Sequence, residues 1–319
     1  MPMDNEYFQD WLAGIDALSD AQRAEAEAVL LGRCEAVSSF AAVELAVDED
    51  RRCPHCSTPG AISRGKARGL RRYQCKSCRR TFNAATGTPL SGLHYKDRWL
   101  AFGASLAAGE TVRASAARCN LAVNTAFRWR HRFLQATRQA PQKLKGIVEV
   151  DETYVLESHK GQRNLGRKPR KRGGKASKRG LSGEQVPVLV AVDRSGTTFS
   201  TVLPTVTADT LKQAISPVID RDIVLVSDGC QSYRPCAAAM GVRHEALNLS
   251  AGERIRGAFH IQTVNSRHSQ LKDFLRRYRG IATKYLGNYL QWFHLIKLAP
   301  KPSSRACLAA AIAHRAYVS

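Results

Sequence analysis

The chain has 319 residues, of which 44% are hydrophobic and 24% are charged, and it carries a formal net charge of +22. This length predicts about two domains with cores of ordinary size, and the composition excludes a wholly disordered chain. The longest apolar runs are far shorter than the ~20 residues that cross a bilayer, and the N-terminus lacks the pattern of a signal peptide, so we expect a cytoplasmic protein with no membrane partner.

The charge is divided unevenly along the chain. Residues 1–50 include twelve acidic and two basic residues, a net charge of −10, so the other 269 residues carry +32. An excess of that size indicates a polyanionic partner, for which nucleic acid is the default. A merely soluble basic surface is the alternative. The acidic segment 1–50 has helical periodicity, and we interpret it as a helical segment that packs on or shields basic surface.

Two Cys-x-x-Cys motifs follow within residues 51–90. Cys53 and Cys56 form the first motif and Cys75 and Cys78 form the second, with eighteen residues between them. This spacing is typical of a zinc ribbon, in which each motif turns sharply enough to present two thiolates to one tetrahedral ion. Two disulfides are an alternative that a cytoplasmic location disfavours, and a redox-active motif would need a larger fold. The segment therefore predicts structural zinc.

Residues 95–140 have the pattern of a helix-turn-helix domain. A short helix from Val112 and a second helix over 124–136 flank a turn in which Asn120 is expected to adopt a left-handed conformation. Trp129 is expected to face the core. An ordinary helical hairpin with a basic outer face is the alternative. The residues that we expect to face DNA are Thr125, Arg128, His131 and Arg132.

The pattern from residue 145 to residue 298 is that of an α/β sheet. The predicted order is strand, strand, strand, helix, strand, helix, strand, helix. The first strand is predicted at 147–150, and the last two helices are predicted over 260–278 and 283–298. Residues 299–319 are interpreted as a C-terminal tail.

A basic insertion at 159–180 separates the first strand from the second. It holds ten Lys and Arg residues, five Gly residues and no acidic residue, so it cannot form a core of its own. We expect it to stay disordered until it binds phosphate, and a solvated surface loop is the alternative. The residues of this insertion that we assign to DNA contact are Arg167, Lys168, Arg170, Lys171 and Arg172.

Two aspartates end buried strands of the predicted sheet. Asp151 follows the first strand and Asp228 follows a later one, so both are expected in the crevice at one edge of the sheet. Neighbouring carboxylates repel each other unless a cation lies between them, and hard oxygen ligands favour Mg²⁺ or Mn²⁺. Each aspartate alone could be a loop cap. As a pair beside a basic insertion, they predict a metal site.

These motifs resemble those of the ISXO-like insertion-sequence transposases of the DDE superfamily. The resemblance rests on VEVDETYV, VSDGCQSY and the stretch that begins HIQTVNSRHSQLKDF, and it spans roughly residues 50–298. It implies an RNase H-like core, a mixed sheet flanked by helices, preceded by the zinc ribbon and the helix-turn-helix. It also implies that Asp151 and Asp228 are the first two metal ligands. The third position, Glu in some members and Asn in others, falls on Asn265, with Lys272 seven residues later.

The activity implied by the resemblance is DNA transposition. A transposase of this kind binds the inverted terminal repeats of its element and uses two Mg²⁺ or Mn²⁺ ions to cleave a strand and transfer the 3′-hydroxyl end to target DNA. Joining two ends implies a homodimer or larger assembly on double-stranded DNA, and a nucleoid-associated location. Asn265 brings no charge, so metal affinity is expected to fall or to depend more on the substrate phosphate. A non-catalytic regulator or domesticated transposase, and a structure-selective metal-dependent nuclease, are the alternatives.

Overall fold

The chain folds into two units, one formed by Met1–Ala136 with Ser303–Ser319 and the other by Thr137–Pro302. Each unit has its own hydrophobic core. No helix among the described residues is long and apolar enough to cross a membrane. The structure is a computed structural model, and the residues it describes are 4–19, 22–23, 26, 39–45, 50–136, 142–166, 168, 174–178, 182–298 and 302–313.

The described elements alternate between helices and short strands. The helices are α1 Asn5–Ala13, α2 at residues 39–44, α3 Trp99–Ala107, α4 Val112–Arg118, α5 Val123–Ala136, α6 Ala208–Ile215, α7 Tyr233–Met240, α8 Gln262–Arg276, α9 Leu286–Phe293 and α10 Ser304–Ala313. The strands are β1 Ile62–Ala67, β2 Leu70–Gln74, β3 Thr81–Phe82, β4 Ile147–Leu156, β5 Gln185–Asp193, β6 Thr198–Val202, β7 Val224–Ser227, β8 Arg243–Ala246, β9 Ile255–Arg256 and β10 Phe259–His260.

A three-stranded antiparallel ribbon, β1-β2-β3, forms part of the first unit. The turn between β1 and β2 consists of Arg68 and Gly69, whose φ angles of 51° and 82° match the twist of a tight hairpin. The rings of Tyr73 and Phe82 stack with centroids 5.4 Å apart. Together with Ala61 they form a small core beneath two of the cysteines. So small a core buries little apolar surface, so the ribbon needs another source of stability.

Part of the acidic N-terminal segment packs on this ribbon. Oε1 of Glu44 in α2 accepts a hydrogen bond from the Arg71 N–H at 2.6 Å. The Phe40 ring lies where a side chain at Gly69 would have to be placed. For residues 39–45 this contact agrees with the expectation that the acidic segment packs on basic surface. Much of the rest of segment 1–50 lies outside the described residues.

A helical domain forms the remainder of the first unit. Trp99 and Phe102 of α3 meet Trp129 of α5 edge-on, with ring centroids 6.4 and 5.3 Å apart. Helices α4 and α5 form the predicted helix-turn-helix, and Asn120 between them has a φ angle of 46°, the expected left-handed conformation. Trp129 is 2% exposed, so it faces the core as predicted.

Helix α10 belongs to this first unit although it follows the second unit in the sequence. It packs against α3 and α5, and its residues Cys307, Leu308 and Ile312 are almost fully buried. A tail was expected for residues 299–319, so the prediction missed this helix. At the closest approach, a Cβ atom added to Gly103 of α3 would lie 2.7 Å from the carbonyl oxygen of Ser304.

The second unit contains a five-stranded mixed sheet in the order β6-β5-β4-β7-β8. Strands β6, β5 and β4 are antiparallel neighbours, whereas β4, β7 and β8 run parallel to one another. Helices α6 and α7 cover the face that carries Val148 and Val150. Helix α8 packs against β4 and β5. The mixed sheet with flanking helices confirms the predicted α/β fold class and has the strand order of an RNase H-like core.

Strand β4 is longer than the predicted 147–150 because its antiparallel pairing with β5 continues to Leu156. Asp151 therefore lies inside the strand, opposite Val190, and not at its end as predicted. The parallel pairing with β7, in contrast, stops at Glu149 and Val226. Asp151 consequently still lies at the edge of the sheet where β7 ends.

Candidate functional site

Asp151 and Asp228 lie next to each other where the parallel strands β4 and β7 separate. Glu149 is paired with Val226, so two residues further along each strand the register reaches Asp151 and Asp228. Asp228 begins a turn in which the Cys230 N–H donates to its Oδ1 at 3.0 Å. Burial and the negative charge of Asp228 raise the pKa of Asp151 to about 7. The two carboxylates therefore repel each other in a site partly shielded from water.

Helix α8 carries His268 and Lys272, which both interact with Asp151. His268 is 7% exposed, and its Nδ1 lies 3.8 Å from Oδ2 of Asp151. Burial and the charge of Lys272 lower the pKa of His268 to about 4, so this imidazole is neutral at pH 7. Lys272 also opposes the rise in the pKa of Asp151. Asn265 lies one turn before His268 on α8 and is exposed to solvent.

The carboxylate oxygens of Asp151 and Asp228 suit a hard divalent cation, but two carboxylates do not complete its coordination shell. Among the described residues, the one group of three or more His, Cys, Asp or Glu side chains close enough to share an ion is formed by cysteines elsewhere. A cation between Asp151 and Asp228 would relieve their repulsion. The further oxygen ligands that Mg²⁺ requires would have to come from an amide such as Asn265, from water or from substrate.

Glu152 is held on the opposite side of β4. The Tyr233 hydroxyl of α7 donates a hydrogen bond to its carboxylate, next to the core that contains Val150. Burial raises the pKa of Glu152, and this hydrogen bond partly offsets the rise. Its position agrees with the expectation that alternation along the strand makes Glu152 a weaker ligand candidate than Asp151.

The four cysteines of the ribbon converge on one point. The Sγ atoms of Cys53, Cys56, Cys75 and Cys78 all lie within 4.8 Å of one another, and the described cysteines are free thiols. The distance is 3.7 Å between Cys53 and Cys78 and 3.5 Å between Cys56 and Cys75. Thiolates at the corners of a zinc tetrahedron lie about 3.8 Å apart. The cluster therefore fits Zn²⁺, as the spacing predicts.

Both cysteine motifs form the same turn. Ser57 after the first motif and Arg79 after the second have φ angles of 58° and 60°. The N–H groups of His55 and Cys78 each approach a cysteine sulfur of their own motif at 3.4 Å. N–H groups directed at sulfur stabilise thiolates, which is the form that binds zinc.

The outer face of α5 differs in one respect from the prediction. Arg128 is exposed and Thr125 is half-buried, so both can face a ligand. Arg132 is exposed, and its Nη1 donates to the Pro89 carbonyl at 3.1 Å. The expectation that His131 faces outward is wrong, because it is 6% exposed and packs edge-on against the ring of Phe127.

Arg130 is a buried residue of α5 that the sequence analysis missed. It is 0% exposed, and its Nη2 donates to the Glu110 carbonyl at 2.7 Å and to Ser115 Oγ at 3.0 Å. These contacts fix α5 against the start of α4. Asn124, in contrast, is exposed on the outer face and was not assigned to DNA contact.

The basic insertion begins beside the end of α8. The Ser158 N–H donates to Thr283 Oγ1 at 2.9 Å, and Lys160 Nζ donates to the Gly280 carbonyl at 2.9 Å. Of the residues assigned to DNA contact, Lys168 is described. The others, Arg167, Arg170, Lys171 and Arg172, lie outside the described residues.

Glu149 is a further residue of this region that the sequence analysis did not single out. It lies two residues before Asp151, is 1% exposed, and accepts a hydrogen bond from the Val264 N–H of α8 at 2.9 Å. A charged residue between two valines in the run IVEV was the signal that could have found it, because a strand buried on both faces rarely contains an acid.

Comparisons with known proteins relate this chain to transposases. A family model described as an ISXO2-like transposase domain matches residues 143–294. An uncharacterized protein in the transposable element ISH50 of Halobacterium salinarum is 31% identical in an alignment of 248 residues that covers 76% of this chain and 84% of that protein.

Solved structures of Mos1 transposase are much more distant. The pre-cleavage Mos1 transpososome covers 63% of this chain and 74% of its own at 11% identity, and the paired-end complex with the left transposon end covers 67% and 80% at 12% identity. Both have a TM-score of 0.24, which is too low to support an inference about this chain. The family match and the ISH50 relative, in contrast, show that the chain belongs to the ISXO2-like family of transposases.

Proposed function

We propose that this transposase binds the inverted terminal repeats of its insertion sequence, cleaves DNA there in a reaction that needs divalent metal, and transfers the 3′-hydroxyl ends to target DNA. The observation that carries the proposal is the register of β4 and β7, which pairs Glu149 with Val226, the residues two positions before Asp151 and Asp228. Their mutual repulsion, which contributes to the raised pKa of Asp151, supports it. Lys272 of α8 acts electrostatically on Asp151 in the same place.

Four side chains would have distinct roles in the reaction. Asp151 and Asp228 would hold two Mg²⁺ or Mn²⁺ ions, with the Asn265 amide oxygen as an uncharged third ligand. Bound ions supply a more acidic water as nucleophile and charge stabilisation for the leaving oxygen. The Lys272 ammonium would donate hydrogen bonds to a phosphate oxygen and orient the phosphodiester. Each step exchanges one P–O bond for another, with water and then the freed 3′-hydroxyl as nucleophile, so no side chain bonds covalently to DNA.

The first unit would select the DNA. Asn124 and Arg128 are exposed one turn apart on α5, and these residue types read adenine and guanine edges in the major groove. The four ribbon cysteines would bind Zn²⁺, and the basic residues of the ribbon and of the insertion 159–180 would contact phosphates. Because two element ends must be joined, we propose a homodimer or larger assembly on DNA.

Asparagine substitutions of Asp151 and Asp228 separate chemistry from binding. Each should lower Mn²⁺-dependent cleavage of end-bearing DNA by at least about 100-fold, because replacing a charged ligand by a neutral amide costs more than loss of an outer hydrogen-bond partner. The affinity for that DNA should stay unchanged. Asp222→Asn, in an exposed turn before β7, is the matched control and should cleave normally. Normal cleavage by either site variant would contradict the assignment, and cleavage without joined products would indicate a nuclease.

One second candidate is favoured by the exposure and lack of charge of Asn265: a DNA-binding regulator that no longer cuts. Asn265→Ala and Asn265→Glu distinguish the two functions. For an active transposase, Asn265→Ala should raise the Mn²⁺ concentration that gives half-maximal cleavage. A wild-type protein that binds ends without cleaving them, together with an Asn265→Glu variant that cleaves, would establish the regulator instead.

A further inference from the structure

Glu149 is a buried acid at the centre of β4. It is 1% exposed, and its neighbours Val148 and Val150 point into the hydrophobic core on the other face of the sheet. An ionised carboxylate is costly to bury unless it is paired and hydrogen-bonded. Its partners therefore indicate what this side chain does.

Both oxygens of the Glu149 carboxylate are engaged. Oε2 accepts the hydrogen bond from the Val264 N–H at 2.9 Å, and Oε1 forms an ion pair with Arg194 and lies 3.2 Å from His260 Nδ1. Val264 is the third residue of α8, so its N–H is one of the donors that lack an acceptor within the helix. A negative charge at this end also interacts favourably with the helix dipole. Glu149 thus ties the start of α8 to β4.

Arg194 extends this anchor to a third element. It follows β5, and while Nη1 pairs with Glu149, Nη2 donates to the Ala258 carbonyl at 2.7 Å in the turn between β9 and β10. A guanidinium can make both contacts at once because its donors form a fixed fork. The ion pair therefore holds the hairpin that leads directly into α8.

The spacing of these contacts relates the anchor to the candidate metal site. Glu149 and Asp151 are two residues apart on one face of β4, about 7 Å along the strand. On α8, Val264 immediately precedes Asn265, and His268 one turn later lies 3.8 Å from Asp151. The same part of β4 thus carries Asp151 and, through Glu149, holds the start of α8, the helix that carries Asn265.

We propose that Glu149 is a positioning residue for metal binding. It sets the position of α8 along β4 at which the Asn265 amide and the Lys272 ammonium meet the site formed by Asp151 and Asp228. The inference rests on the proposed function, because it needs a cation at those carboxylates.

Glu149→Asp tests the proposal with the charge retained. The side chain becomes shorter by one carbon–carbon bond, about 1.5 Å, so it cannot reach both Arg194 and the Val264 N–H. Zinc-loaded protein that has been freed of Mg²⁺ and Mn²⁺ is titrated with Mn²⁺, and free Mn²⁺ is measured by electron paramagnetic resonance. We expect Mn²⁺ affinity to fall about 10-fold, and the Mn²⁺ concentration for half-maximal cleavage to rise correspondingly, while the affinity for end-bearing DNA is unchanged.

Val148→Ala is the matched control for a loss of stability alone. It removes buried methyl groups from the same strand on the other face, so it should lower the melting temperature and leave Mn²⁺ affinity at the wild-type value. If Glu149→Asp does not fold, Arg194→Lys takes its place, because it keeps the charge and loses the contact with Ala258. We expect it to weaken Mn²⁺ binding as well.

The outcomes separate this inference from the function on which it rests. A folded Glu149→Asp or Arg194→Lys variant with wild-type Mn²⁺ affinity would overturn the positioning role and leave the proposed function intact. A wild-type protein that neither binds Mn²⁺ nor cleaves end-bearing DNA would overturn both.

Discussion

Buried polar side chains in this transposase link one element to the next. Arg130 joins α5 to the start of α4 through a backbone carbonyl and a hydroxyl. Glu149 joins β4 to α8 through a backbone N–H. Tyr233 of α7 joins that helix to β4 by a hydrogen bond from its hydroxyl to the Glu152 carboxylate. Such groups are stable inside a protein only when their partners are in place, so they select one arrangement of the elements.

His294 is expected to make stability depend on pH. It is partly buried at the end of α9, and its Nε2 lies 2.8 Å from Ser200 Oγ. Burial and the charge of Arg267 lower its pKa to about 4, whereas an unfolded histidine takes up a proton near pH 6.5. The lowered pKa costs no stability above pH 6.5. Between pH 6.5 and about 4, only the unfolded chain binds this proton, so the folded state loses about 2 to 3 kcal/mol.

The change that tests this is His294→Gln, which keeps a polar group beside Ser200 and removes the titration. Urea unfolding at several pH values should show a smaller acid loss of unfolding free energy in the variant than in the wild type. His94→Gln, at an exposed position, serves as the control and should follow the wild-type curve. Parallel curves for wild type and His294→Gln would rule out His294 as the cause.

Among the elements, α10 packs closely on α3 at a position where α3 has a glycine, Gly103. Gly103→Ala should destabilise the first unit by about 1 to 3 kcal/mol, because the new Cβ would lie 2.7 Å from the Ser304 carbonyl oxygen. Gly287→Ala in α9 meets nothing within 4 Å and should instead raise stability by up to about 1 kcal/mol. Thermal unfolding of the two variants makes the comparison, and equal shifts would contradict the role of close packing.

The elements that could be predicted from the sequence are those whose conformation depends on residues close to one another in the chain. The spacing of the cysteines defines both cysteine-containing turns, and Asn120 marks a turn whose conformation few other residues adopt. The full length of β4 could not be predicted, because β5 extends it from beyond the insertion. The burial of His131 could not be predicted either. Helix α5 packs against both α4 and α10, and a helix with two partners buries a wider part of its circumference.

The candidate site was predictable to a similar degree. Aspartates after apolar runs predicted that Asp151 and Asp228 would meet, and the sheet register brings them together. Asn265 and Lys272 came from the family resemblance, since no local pattern relates α8 to β4. The buried anchor at Glu149 depends on Val264, which lies 115 residues away in the sequence.

For the whole molecule, two separate cores predict two separate responses to zinc removal. The ribbon core contains Ala61, Tyr73 and Phe82 with the cysteines, whereas the sheet of the second unit has a large core of its own. If the four cysteines bind zinc as proposed, a strong chelator should unfold the ribbon, because metal binding would supply most of the folding free energy of so small a structure.

Hydrogen exchange measured by mass spectrometry tests this expectation. After chelation, amides of β1 to β3 should exchange at least about 10-fold faster, and amides of β4 to β8 should keep their protection. Cys75→Ser should reproduce the effect without chelator. Faster exchange throughout both units would show that the zinc cluster supports the entire fold.

The position of α10 also has a consequence for how the protein is made. The ribosome must finish the whole second unit before residues 304–313 emerge, so the first unit acquires α10 only after the second unit has been synthesised. A gene copy shortened by a frameshift would encode a chain without the buried side chains of Leu308 and Ile312. Such decayed copies would not yield a completely packed first unit, and under the proposed function they would not compete with intact transposase for the element's ends.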